Sequence, residues 1–261
     1  MSTLYLVATP IGNLEDITAR AVRILGEVGL IAAEDTRHTR KLLSHYQIQT
    51  RLTSYYEHNK LGKLELILEA LGIGDVALVS DAGTPALNDP GYELVRAVLD
   101  AGHQVSPIPG PSAPVAALVA SGLPTDRFLY LGYMPRKPAE RRRQLEEIRN
   151  FPYTLIFLET PHRLSSGLED ILAVLGDRQI AVARELTKLH EEIYRGLISE
   201  VAAHFNEVSP RGEITLVIAA ASQQTDQWSS EHLEPVLTAA LSRGESPAQI
   251  AKEVASISGW P

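Results

Sequence analysis

An α/β fold of two domains with mostly parallel sheets, enclosing an interdomain cleft, is what this sequence predicts, and three observations predict it. Short apolar runs alternate with stretches of helical length almost without interruption, the pattern left when crossover helices join parallel strands. Several of the runs stop abruptly in a polar loop containing Gly, Pro or a carboxylate, as strands do when they end at a ligand crevice. The pattern breaks at Gly122-Leu123-Pro124-Thr125-Asp126 and then restarts, which places a linker between a first domain, 1–122, and a second, 127–221. A chain of 261 residues with 44% hydrophobic content has enough apolar surface for such cores.

In order, Thr3 to Ala8 is the first expected strand, closed by Thr9-Pro10-Ile11-Gly12-Asn13-Leu14, with Asp16 or Thr18 available to cap a helix through Leu25. Leu30 to Ala33 is a second strand, ending in Glu34-Asp35-Thr36-Arg37. A helix from His38 to Tyr46, a short strand from Arg51 to Ser54 and an amphipathic helix from Lys60 to Leu71 follow. Val76 to Ser80 suits a buried parallel strand and stops in Asp81-Ala82-Gly83-Thr84-Pro85, followed by Asn88-Asp89-Pro90-Gly91. Tyr92 to Asp100 is a helix, Val105 to Ile108 a strand running into Pro109-Gly110-Pro111-Ser112-Ala113, and Ser112 to Ser121 an apolar helix.

Beyond the linker, Phe128 to Tyr133 is a strand, Ala139 to Ile148 a charged helix, and Thr154 to Leu158 a strand leading to Glu159-Thr160-Pro161-His162-Arg163. Thr160 as N-cap with Pro161 at the first helical position starts a helix to Leu175. Ile180 to Ala183 precedes Arg184-Glu185-Leu186-Thr187-Lys188; Glu191 to Gly196, Ile198 to Phe205 and Glu213 to Ala219 follow as strand, helix and strand. Ser222 to Ser229 reads as a polar linker, and 229–261 as a helical tail of two stretches, Glu231 to Leu241 and Pro247 to Ile257, ending at Gly259-Trp260-Pro261.

Composition excludes several classes. Zero cysteine removes disulfides and thiolate chemistry, and with no signal-peptide pattern at Met1-Ser2-Thr3-Leu4-Tyr5 it favours a cytoplasmic protein. No apolar run approaches a membrane span. There is no P-loop, no H-E-x-x-H and no zinc spacing, so no metal is expected. Gly72-Ile73-Gly74-Asp75-Val76-Ala77 has the glycine spacing of a dinucleotide fingerprint, but it follows a helix and opens a strand, the reverse of the required context. The net charge of −8 offers no global attraction to nucleic acid, so any such contact must be local.

What remains is a set of polar loops after strands, gathered by a parallel sheet along one edge. Gly83 lets a ligand approach the backbone, Asp81 accepts from hydroxyl or amino groups, and Ser112 is a helix N-cap or a ligand-bonding hydroxyl. A cleft with carboxylates, hydroxyls and backbone groups but no phosphate cradle suits a cationic, amino-acid-like, purine-bearing cofactor, a description that S-adenosylmethionine fits.

Five motifs taken together, Thr9-Pro10-Ile11-Gly12-Asn13-Leu14, Ala33-Glu34-Asp35-Thr36-Arg37, Val79-Ser80-Asp81-Ala82-Gly83-Thr84-Pro85, Pro109-Gly110-Pro111-Ser112-Ala113 and Ala183-Arg184-Glu185-Leu186-Thr187-Lys188, carry a resemblance. From Leu4 to Ala219 the chain resembles the branch of the tetrapyrrole-methylase superfamily that methylates small-subunit ribosomal RNA. The resemblance implies S-adenosylmethionine in the interdomain cleft, a homodimer, and 2′-O-methylation of a cytidine in the decoding region of 16S ribosomal RNA within the small ribosomal subunit. It carries cofactor contact to Pro10, Asp81, Ala82, Gly83, Ser112, Ala113, Tyr133, Met134, Leu158, Glu213 and Ile214. Tetrapyrrole-modifying relatives have a glycine-rich loop where this chain has Thr9-Pro10-Ile11-Gly12, which favours the RNA branch. Family members usually continue with a basic and aromatic segment beyond the last helix, so the tail is expected to be short or incomplete.

A ribose hydroxyl must lose its proton and lie in line with the methyl donor. Asp35 is the candidate base, Arg37 the group holding phosphate or the hydroxyl, and Glu185 and Lys188 a second pair across the cleft. Each has a plainer alternative: Asp35 as the cap of the helix starting near Thr36, Arg37 with Arg40 and Lys41 as a solvated helix face, and Arg184, Glu185 and Lys188 as a structural ion-pair network. Arg136, Lys137, Arg141, Arg142 and Arg143 put five cations in eight residues, expected to contact RNA phosphate, with a solvated helix paired to Glu140, Glu146 and Glu147 as the alternative. Tyr55, Tyr56 and His58 are placed to stack on a splayed base. A small-molecule methyltransferase, a hydrolase using Ser112 and a non-enzymatic assembly factor remain as competing readings.

Overall fold

The computed structural model describes residues 1–208, 210–221, 230–243 and 246–258. The expected linker Ser222 to Ser229 and the terminal Gly259-Trp260-Pro261 lie outside the described residues. The first half holds β1 (Thr3–Val7), α1 (Ala19–Glu27), β2 (Leu30–Ala33), α2 (Thr36–His45), β3 (Leu52–Ser54), α3 (Lys60–Ile73), β4 (Val76–Val79), α4 (Tyr92–Asp100), β5 (Gln104–Ile108) and α5 (Ala113–Ser121). The second holds β6 (Phe128–Tyr133), α6 (Pro138–Glu147), β7 (Thr154–Glu159), α7 (Pro161–Leu175), β8 (Gln179–Arg184), β9 (Glu192–Leu197), α8 (Ile198–Glu207) and β10 (Ile214–Ile218). Then come α9 (Ser230–Ser242) and α10 (Pro247–Ser258).

The first sheet runs β3-β2-β4-β1-β5 and is parallel throughout. Its middle strands are covered on both faces, as the unbroken apolar runs required. Ile31, Ala33, Ala77 and Val79 pack toward α1 and α2, while Leu30, Ala32, Val76 and Leu78 pack toward α3 and α4. Thr18 caps α1 by accepting from the Ala21 amide at 3.1 Å, and Asp16 falls in a single 3-10 turn, Leu14–Asp16.

The second sheet corrects the expectation of mostly parallel strands. Its order is β6-β7-β10-β8-β9; only β6 and β7 pair in parallel, and the other three pairings are antiparallel. The physical reason lies in the connections: β8 and β9 are joined without a crossover helix, and β10 inserts between β7 and β8 running the opposite way. The β10 start therefore sits at the edge where β7 and β8 end, with Ile214 opposite both Glu159 and Arg184.

The α5 helix follows the first sheet in the chain but packs against the second. Ala117 and Leu118 share a core with Ile156, Ala181, Ala183 and Val217. Gly122, at φ 82°, ends α5 in the left-handed conformation at the expected linker. Residues Met1–Arg149 and Tyr153–Ala219 accordingly form one compact unit carrying both sheets. Asn150–Pro152 with Ala220–Pro261 form another, in which Ala240, Ile250 and Val254 make a core of their own. Among the described residues no helix is long and apolar enough to cross a membrane.

Candidate functional site

Three loops at the carboxyl edge of the first sheet are tied to one another by backbone. Thr9 and Gly83 exchange N–H···O bonds of 2.9 Å in both directions, and the Thr84 hydroxyl donates to the Pro111 carbonyl at 3.3 Å. Gly83 sits at φ 77°, so the loop can turn there without a side chain entering the space beside Ile11. Downstream, Ala86 and Asn88 also hold left-handed φ values of 66°, a coiled path that brings Asp89 back toward Ser80 at the end of β4. The second half closes this edge with Tyr130 and Tyr133 from β6, Leu158 from β7, and Glu213, Ile214 and Thr215 at the start of β10.

The resulting cleft gathers nine of the eleven residues expected to touch a cofactor: Asp81, Ala82, Gly83, Ser112, Ala113, Tyr133, Leu158, Glu213 and Ile214. Ser112 occupies the N-cap position of α5 without a capping side-chain bond, leaving its hydroxyl for the cleft. Pro10 and Met134 lie outside this lining. Pro10 lines a neighbouring cavity that shares Asp81. Met134, just beyond β6 and the irregularity between Tyr130 and Tyr133, is 1% exposed, and a Cβ at Gly167 on α7 would meet its methyl at 2.8 Å.

Four carboxylates face this space: Glu34, Asp81, Asp89 and Glu213. Burial, then the charge of Glu34, pushes Asp89 up to about 6, although a hydrogen bond from Ser80 opposes the shift. Burial likewise raises Glu34, with the Asp81 and Asp35 charges adding to it and a backbone hydrogen bond from Asp81 opposing. Tyr130 is pushed up to about 12, mainly by burial, and its neighbours Tyr133 and Asp89 add to the effect. Each shift reports negative charge crowded into a partly dry site, a state that a bound cation relieves. Glu34 and Asp89 belonged to the quoted motifs without being singled out; Tyr130 carried no sequence signal, because a strand tyrosine reads as core.

A family model described as tetrapyrrole (corrin/porphyrin) methylases matches residues 3–202. The chain belongs to the tetrapyrrole methylase family. This methylase is 47% identical to the ribosomal RNA small subunit methyltransferase I of Halalkalibacterium halodurans, over 96% of its length and 90% of that protein. It is 48% identical to the protein of that name from Escherichia coli, over 97% and 89% of the two chains. Among solved structures it resembles uroporphyrin-III C-methyltransferase of Thermus thermophilus complexed with S-adenyl homocysteine, with TM-score 0.57, 23% identity and coverage of 84% of this chain and 97% of that one. A cobalt precorrin-4 methyltransferase superimposes with TM-score 0.63 at 15% identity, covering 83% and 94%. At such identity the likeness to these two structures is one of fold.

The candidate catalytic groups of the methylase lie around the cleft rim. Asp35 is the N-cap of α2: its carboxylate accepts from the Arg37 amide at 2.8 Å and from the Arg37 guanidinium at 2.7 Å. The guanidinium hydrogen bond, reinforced by the amide, holds the Asp35 carboxyl well below the usual range, so it is a weak base. Glu185 and Lys188, expected as a second pair across the cleft, are ion-paired to each other, while Arg184, which the structural alternative joined to them, pairs with Glu192. The Lys188 ammonium lies 2.8 Å from Glu185 and 3.3 Å from Glu213. The Lys188 hydrogen bond lowers Glu185, while Lys188 stays raised because its two carboxylates outweigh partial burial.

The basic run divides. Arg136, Lys137, Arg142 and Arg143 are exposed, with Lys137 paired to Glu140 at 3.1 Å. Arg141 is corrected: it is 3% exposed and bound to Asp170, whose other oxygen accepts from Arg142 at 2.6 Å. A guanidinium sealed between α6 and α7 cannot meet phosphate. Tyr55 is also buried, at 1% exposure, leaving Tyr56 and His58 at the surface, 6.4 Å apart in an edge-on pair. Among the described residues no cluster of three or more His, Cys, Asp or Glu side chains could hold a metal.

Proposed function

We propose that this methylase transfers the methyl group of S-adenosylmethionine to the 2′-hydroxyl of a cytidine in the decoding region of 16S ribosomal RNA, acting as a homodimer on the small ribosomal subunit. The reading rests on its 47–48% identity, over nearly the whole chain, to proteins named ribosomal RNA small subunit methyltransferase I.

The cleft fits that cofactor. Asp81, Asp89 and Glu213 supply negative charge for a sulfonium and an ammonium; Ile11, Leu87, Leu158 and Ile214 supply apolar walls for a purine; Thr84 and Ser112 supply hydroxyls. When bound, S-adenosylmethionine supplies an electrophilic methyl group on sulfur. The protein's part is to position the ribose oxygen and take its proton. Glu34 suits the second task better than Asp35: it faces the cleft, and burial makes it the stronger base. Arg37, committed to Asp35, holds that rim in place.

Calorimetry with S-adenosylmethionine, followed by incubation with small subunits lacking the modification, tests the reading. Saturable binding and a methyl group on a cytidine ribose support it. Binding with transfer only to a tetrapyrrole would move the protein to the small-molecule branch, and no binding would remove the methyltransferase assignment. Sedimentation of the purified protein checks the homodimer.

A further inference from the structure

Two cavities meet at Asp81, and they differ in charge. The cofactor cleft is walled by four carboxylates, which repel the phosphate backbone of any RNA. The second cavity, of about 300 Å³, lies between the loop after β1 and the exposed face of α2. Its walls are carbon, from Pro10, Leu14 and Leu42, and the Lys41 ammonium and the His38 imidazole also line it. The three hydroxyls that border it are already committed, Thr9 donating to the Ser80 carbonyl, Thr39 to that of Asp35 and Ser80 to that of Ala82. His38 stands 3.8 Å from Asp81, and the exposed Arg40 and Arg37 continue the positive face, the latter paired to Asp35.

The walls are held from outside. The Tyr46 hydroxyl donates to the Leu14 carbonyl at 2.7 Å, clamping the turn against α2. Behind Gly12 lies the Glu185 to Lys188 turn, so close that a Cβ would stand 2.4 Å from the Lys188 side chain and 2.9 Å from the Leu186 carbonyl oxygen.

We propose that this second cavity holds the target nucleoside of the RNA, with an adjoining phosphate on His38 and Lys41 and the ribose at Asp81, facing the cofactor cleft. The inference rests on the RNA methyl-transfer reading above and specifies where its substrate lies. A volume near the lower end of the ~300–1,000 Å³ spanned by small-ligand sites leaves room for one nucleoside. Apolar walls suit a base splayed out of its stack, and a lysine ammonium beside an imidazole N–H donor suits a phosphate. Asp81 borders both cavities, so a ribose hydroxyl reaching it lies beside the cleft assigned to the methyl donor.

Lys41→Glu and Leu14→Asp test the proposal in the full chain, Leu14 being 40% exposed and replaceable without opening a core. Three quantities are read: affinity for unmodified small subunits by co-sedimentation without cofactor, KM and kcat for methyl transfer, and S-adenosylmethionine affinity by calorimetry. Lys41→Glu is expected to weaken subunit binding at least about tenfold and to flatten its salt dependence by roughly one unit of slope, with Lys41→Arg restoring both. Leu14→Asp is expected to raise KM for subunits by about tenfold or more, as loss of a base-stacking wall would. Cofactor affinity should stay within about twofold in each, which also certifies the fold. Unchanged subunit affinity and KM in both variants overturns the proposal. So does a matching loss of cofactor affinity, which would make the cavity part of the cofactor site. Wild-type protein that binds S-adenosylmethionine yet leaves subunits unmodified would instead overturn the functional reading itself.

Discussion

Burial and the charge of Glu34 hold the Asp89 carboxyl at about 6, against 3.8 for an unperturbed aspartate. The folded state therefore binds this proton more tightly than the unfolded chain does, so this group's contribution to stability falls as pH rises from about 4 through 6 and is constant above. Binding of a cation has the opposite dependence, because the ligand needs the ionised form. S-adenosylmethionine affinity, measured by calorimetry, is expected to rise through about pH 6, and Asp89→Asn to remove most of that rise. The neighbouring pair Glu34 and Asp35 separates base from cap. Glu34→Gln is expected to lower kcat with cofactor affinity retained, whereas Asp35→Ala, which removes the cap, is expected to lower stability toward urea by about 1 kcal/mol and to spare kcat more. A kcat that collapses only in the Asp35 variant would return the proton to Asp35.

At the level of elements, the α6 helix shows how one face of a charge run becomes core. Arg141 points at Asp170 on α7, and Arg143, two positions on, points at solvent. Removing Asp170 strands the buried Arg141, so Asp170→Ala is expected to cost about 3–5 kcal/mol in urea unfolding. Arg143→Glu is expected to leave stability within roughly 0.5 kcal/mol and to weaken subunit binding in the sedimentation assay. The turn between β6 and α6 depends on another arginine. Arg163 on α7 donates to the carbonyls of Met134 and Pro135 and to Glu159, which is 2% exposed, and thereby sets the position of Tyr133 at the cleft. All three bonds leave one guanidinium nitrogen, so Arg163→Ala removes them together and is expected to weaken cofactor binding while the fold persists.

At the scale of the whole molecule, an acidic chain must engage an anionic RNA through local fields, because its net charge is −8. If the α2 face and the exposed part of α6 supply them, subunit binding weakens steeply with salt, while the cofactor cleft, of opposite sign, takes no part in that slope. The α/β class, nearly every element and the loops that form the cleft are written in the chain itself. Those signals are local: apolar periodicity, a Thr18 or Asp35 cap, a Gly122 stop, and the break from Val79 into Asp81-Ala82-Gly83 are all read within a few neighbours. The tertiary structure alone decided the rest, because it depends on which distant segments meet. Strand direction in the second sheet followed from β10 inserting between β7 and β8, and that insertion placed Glu213 at the cleft. The packing of α5 against the second sheet joined the two halves around the site. The fates of Arg141 and Tyr55, and the raised carboxyls of Glu34 and Asp89, were set by burial and by charges far apart in the chain, which no stretch of sequence contains.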